Sequence, residues 1–197
     1  MTTSEMPNQS PPPYALQIPA LWTSVDFMSG DFIDQISAVA GTAIPDIDVT
    51  RLTDQLRVAQ NLALSLGITK CHALVREVEE TMLILTLTCA IVRVVPQTTE
   101  NNMDVMMRAF QTADGVDFEV LPMMSILTGA MGEILRGERI IPASTDRSLW
   151  ANRMITYGIM HPSRESMAML VGTSPNVYLP HIGDEFDAVA KSFFWIG

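Results

Sequence analysis

Three histidines, two cysteines and two small groups of acids are the residues whose types could support catalysis or hold a metal. His72, His161 and His181 are far apart along the chain, and each stands beside an apolar run or a proline. Cys71 and Cys89 lie in or beside apolar patterns, with no CxxC and no Cys/His cluster around them. A thiol becomes a useful nucleophile when a base takes its proton, so Cys71 with His161 is the pair to consider. Adjacent Cys71 and His72 would diverge on a helix and form no dyad. Asp184, Glu185 and Asp187 are spaced to share a cation, as are Asp46 and Asp48. Acids in those positions equally suit a solvated helix start and a loop. No P-loop, GxGxxG, GxSxG or HExxH pattern is present. The expectation is therefore no catalytic, cofactor-binding or metal-ligating residue, and a chain that is not an enzyme. An enzyme with a noncontiguous site is the weakest alternative.

Charge narrows the partners. The formal net charge is −10, from 12 basic and 22 acidic residues, and all the basic ones except Lys70 and Lys191 are arginines. Nucleic-acid affinity comes mostly from neutralised phosphates, so so acidic a chain makes a poor coat for RNA or DNA. Nucleic acid is not expected as the main partner, although Arg51, Arg57, Arg136 and Arg139 could gather into a patch on folding. The first ten residues have neither the basic nor the apolar region of a signal peptide. The apolar run from Thr81 to Val92 falls short of the roughly 20 residues that span a bilayer, so no transmembrane segment is expected. Two free thiols suit a reducing compartment. Together these give an expected location in the cytoplasm or in a virion. Methionine is abundant, at 14 residues, with pairs at Met106–Met107 and Met123–Met124. Flexible thioethers suit surfaces that repack against several neighbours.

One motif stands out. Pro11, Pro12, Pro13 and Tyr14 match PPxY, with Pro13 in the variable place. A polyproline II segment docks in the aromatic grooves of WW domains with little loss of entropy. This stretch resembles the late-domain PPPY near the N-terminus of several viral matrix and Gag proteins. That resemblance implies recruitment of WW-containing ubiquitin ligases for budding. It covers four residues and implies nothing about fold. The net charge of −10 departs from the basic membrane-binding patches usual in matrix proteins. The competing reading is an arm that laces neighbouring subunits together, with Tyr14 and Trp22 as anchors.

The elements that must position these residues read as helices. Residues 31–40 and 49–66 have apolar residues three and four apart, the latter stepping through Val49, Leu52, Leu56, Ala59, Ala63 and Leu66 to Gly67. A helix is expected from 70 to about Glu80. The run from Thr81 to Val95 then continues as a buried helix or becomes a strand, with the helix slightly favoured. Further helices are expected over 101–113, from Pro122 to Gly137, over 145–158 and over 163–171. The expected fold is mainly α: a single compact helical domain over 23–182, with one buried strand or short sheet around 81–95 as the open alternative. An extended Pro-rich arm (1–22) precedes it and an amphipathic aromatic tail (183–197) follows.

This organisation predicts a structural, self-assembling homo-oligomer, most simply a viral capsid, coat or matrix component. Partner-binding residues would be Pro11, Pro12, Pro13, Tyr14, Leu16, Ile18, Leu21 and Trp22 in the arm, with Phe193, Phe194 and Trp195 in the tail. Arm and tail would be exchanged between copies. An intracellular adaptor that offers PPPY to a WW domain is the alternative.

Overall fold

The computed structural model describes residues 12–31, 34–35, 60–61, 64, 68, 70–78, 81–94, 101–113, 123–141, 152–175 and 182–196. Most of the expected helices over 31–40 and 49–66 fall outside them. The mainly α expectation is overturned. The centre of the molecule is a seven-stranded, wholly antiparallel sheet built from β2 (Thr23–Asp26), β3 (Lys70–Val78), β4 (Thr81–Arg93), β5 (Met123–Gly129), β6 (Gly132–Ile141), β7 (Asn152–Met160) and β8 (Ser166–Pro175). Their spatial order is β2-β3-β4-β8-β7-β6-β5. Two helices are described, α1 (Asn102–Ala113) and α2 (Ile182–Lys191). A separate two-stranded ribbon joins β1 (Tyr14–Ala15) to β9 (Phe194–Trp195).

The helical reading of 122–171 failed because the sheet is covered on both faces. Strands buried on two sides lose the apolar–polar alternation that marks a strand with one wet face. In β6, Ile134 and Leu135 are adjacent and both buried, on opposite faces. In β8, Met167 and Ala168 do the same. The stretch Gly129–Gly132, which reads as small residues inside a helix, is the β5–β6 hairpin. Its connection is Ala130–Met131, and Gly132 follows at φ +105°, a left-handed position where glycine avoids strain. The strand alternative at 81–95 is what forms. β4 runs from Thr81 to Arg93 and pairs with both β3 and β8.

Each face has its own helix. On one, α2 sets Ile182, Phe186, Val189 and Ala190 against Leu85, Leu87, Ile134, Ile155, Tyr157, Ile159, Ala168 and Leu170. Gly172 on β8 permits this approach: a Cβ there would lie 2.9 Å from the Phe186 ring. On the other face, Val105 and Met106 of α1 pack on Leu135, Met160, Met167 and Val94. α1 forms where the sequence predicts it. The Asn101 side chain accepts from the Asp104 N–H at 2.9 Å, and the Asp104 carboxylate accepts from the Asn101 N–H at 3.4 Å, a reciprocal cap. None of the described helices is long and apolar enough to cross a membrane.

Candidate functional site

Of the residues expected to bind partners, Pro13, Tyr14, Phe193, Phe194 and Trp195 gather at one corner of the molecule. β1 and β9 pair antiparallel, Tyr14 opposite Trp195 and Ala15 opposite Phe194. The Ile196 N–H donates to the Pro13 carbonyl at 2.9 Å, and the Gln17 N–H donates to Ser192 Oγ at 3.1 Å. The Tyr14 ring stacks on Phe193, with centroids 5.3 Å apart and planes 15° from parallel. Phe193 meets Trp195 edge to face at 4.9 Å. Trp195 in turn meets the edge of His161 and donates its indole N–H to the Met160 carbonyl at 3.2 Å. Leu16 and Ile18 pack on the α2-side core as partly buried residues, and Trp22 is buried in it with its ring 5.8 Å from Phe186.

The contacts assigned above to neighbouring copies are thus found within one chain. Arm and tail hold each other, and both sit on the chain's own core. Among the expected residues that the structure describes, only Pro13, Leu21 and Phe194 are exposed, Leu21 at 76%. Pro12 is half-buried, and Pro11 lies outside the described residues. Burial, followed by the charge interaction with the nearby Cys89 thiol, raises the Tyr14 hydroxyl well above the usual tyrosine range. PPPY therefore ends in a tyrosine that is partly a core residue.

The structure gives the catalytic candidates other work. Cys71 is buried with Val25 and Phe27, while His161 bonds Ser163 and touches Trp195, so the two have different surroundings. Burial pushes both thiols up to about 11, the opposite of an activated cysteine. His72 bonds Ser24 Oγ at 2.9 Å, and burial, then Lys70, holds its ring below the usual histidine value. His181, Asp46, Asp48, Arg51 and Arg57 lie outside the described residues. Among the described residues no group of three or more His, Cys, Asp or Glu side chains is placed to hold a metal.

The acidic cluster at the start of α2 divides. Asp184 is exposed, whereas Asp187 turns toward the sheet. Its Oδ1 accepts from Arg136 Nε at 2.9 Å and from the Tyr157 hydroxyl at 2.6 Å. Arg136 also pairs with Glu138 at 2.7 Å, and Glu138 holds Arg153 at 2.5 Å. Burial is the largest single effect on Arg136 and would lower its value, but the bonds to Asp187 and Glu138 together outweigh it and raise it. Two cations, two anions and a neutral tyrosine make a compensated network that fixes α2 to the sheet. Arg136 is therefore not part of an exposed basic patch. Sequence reasoning missed this network because its members come from β6, β7 and α2. The available signal was Arg136 and Glu138 two apart, on one face of a strand.

A second surface was missed entirely. Among the described residues β5 is the outer strand of the sheet, paired with β6 alone. It exposes apolar side chains on both faces, with Met123 70% and Ile126 56% accessible and Met124 exposed beside them. Its sequence, MMSILTG, has no charge and no proline. Proteins usually protect such an edge with a charge, a proline or a short strand. The opposite edge is protected in this way: β2 has only four residues and ends in Asp26.

No family model matches the chain, and no curated protein or solved structure matches it.

Proposed function

We propose that the chain is a self-assembling structural protein of the capsid, coat or matrix type, working in the cytoplasm or in a virion. The observation that carries this reading is the β5 edge. An uncharged outer strand whose far edge pairs with no other described strand, and which carries exposed apolar side chains, is a template for another strand. The occupant proposed is β5 of a second copy. Two β5 strands meeting antiparallel about a two-fold axis join the sheets edge to edge. With no charge on β5, no like-charge repulsion opposes that pairing. The abundant methionines, Met123 and Met124 among them, suit a contact that must adapt. PPPY adds its resemblance to viral late domains.

The test is mass by size-exclusion chromatography with light scattering over a range of concentrations. The native chain should form a dimer or larger species that grows with concentration. Ile126→Lys, which places a charge on the edge but leaves the core untouched, should return it to monomer. A native chain that stays monomeric at every concentration refutes the reading, as does assembly unaffected by Ile126→Lys.

A further inference from the structure

The PPPY motif and the C-terminal tail want the same surface. A groove that reads PPxY must enclose the tyrosine ring and lie along the extended backbone beside it. In this fold the Tyr14 ring is already stacked on Phe193 and half-buried against the core. The backbone beside it is also occupied: Tyr14 and Ala15 pair with β9, Pro13 accepts from Ile196, and Gln17 donates to Ser192. No groove can take Tyr14 while the tail holds it.

We propose that the tail residues 192–196 act as an internal competitor that keeps PPPY closed to WW-type modules until the clasp between arm and tail opens. Opening is local. β1 and β9 have two residues each and form a sheet of their own, apart from the seven-stranded one. Short pairings of this kind belong to the low-stability end of a fold and open without global unfolding. A ligand that binds only the open form sees its affinity reduced by the fraction of chains that are open. Displacing Phe193 and Trp195 would also uncover apolar surface, so partner binding and tail release are one event. This inference concerns the arm and tail and stands apart from pairing at β5.

The test uses a fluorescently labelled WW domain that binds PPxY ligands. Its targets are a synthetic peptide of residues 5–20, and the full chain in an Ile126→Lys background so that self-association does not interfere. The peptide should bind, and Tyr14→Ala in the peptide should abolish binding. The intact chain should bind at least about tenfold more weakly than the peptide. Ile196→Pro removes the N–H that bonds Pro13 while altering only an exposed residue, and should move the chain toward peptide affinity. Ser192→Ala removes the bond to Gln17 and should act in the same direction, which keeps the test decisive if Ile196→Pro does not fold by thermal melting. Equal binding by chain and peptide overturns the proposal. So does a peptide that fails to bind, or a pair of folded clasp variants that bind no tighter than the parent chain.

Discussion

The Tyr157 hydroxyl donates to Asp187 Oδ1 at 2.6 Å, and the same oxygen accepts from Arg136 Nε at 2.9 Å. One carboxylate on α2 therefore joins β7 to β6 and ties both to the helix. Tyr157 is fully buried, and burial followed by the Asp187 bond raises its hydroxyl far above the usual tyrosine range. Without Asp187, two donors in a nearly dry site would lose their acceptor.

Asp187→Ala is expected to cost about 1.5–3 kcal/mol, the range for a hydrogen bond to a charged group. Tyr157→Phe should cost less, about 1–2 kcal/mol, because Asp187 keeps Arg136. The double variant should cost less than the sum of the two, since both remove one shared bond. Chemical denaturation of the four proteins checks this, and simple additivity would show that the hydroxyl and carboxylate do not interact.

Gly172 is expected to tolerate no side chain. An alanine Cβ would lie 2.9 Å from Cγ, Cδ2 and Cε2 of Phe186, which is completely buried. The ring has nowhere to withdraw, so α2 must lift. Gly172→Ala should lose about 1–3 kcal/mol, the usual cost of overpacking. Alanine at exposed Gly30, where a Cβ meets nothing, is the control and should change stability little. A melting temperature for Gly172→Ala equal to the native one would contradict the close packing of α2 on β8.

Alkaline pH should reach the clasp. The Tyr14 hydroxyl is raised in the folded chain, mainly by burial, and returns to about 10 on unfolding. A raised folded value means that this contribution to stability is complete below about pH 10 and is lost as pH rises toward the folded value. Tyr157 acts in the same sense. Ultraviolet titration of tyrosinate should show both groups resisting ionisation until the fold opens. Tyr14→Phe should retain the stacking on Phe193 and weaken the loss of stability at high pH. Ordinary titration of every tyrosine in the folded chain would contradict the burial of both rings.

Local signals were readable where one face of an element is wet. α1 shows Met103 and Met106 three apart behind a polar cap, and it forms as expected. α2 likewise places Phe186 and Val189 inward, although the helix ends at Lys191 and the aromatic residues beyond it continue as strand. The middle of the sheet was hidden because β6 and β8 bury adjacent residues on opposite faces, so Ile134–Leu135 and Met167–Ala168 imitate one stripe of a helix. In β7, Ile155, Tyr157 and Ile159 do alternate, and β-branched and aromatic residues favour strands, so that element was legible and was misread. The sequence marks Tyr14 as an arm anchor and Phe193 and Trp195 as tail contacts to a neighbouring copy. That they anchor one another depends on a sequence separation that no local pattern can encode.

The pairing of Tyr14 with Trp195 brings the first and last described strands to one place, so the path between them is nearly a closed ring. A fluorescent reporter fused directly before Pro12 or directly after Ile196 will crowd the same corner and disturb the opposite strand of the ribbon as well. Rearranged chains that join Ile196 to Pro13 by a short linker and open elsewhere should keep the central sheet.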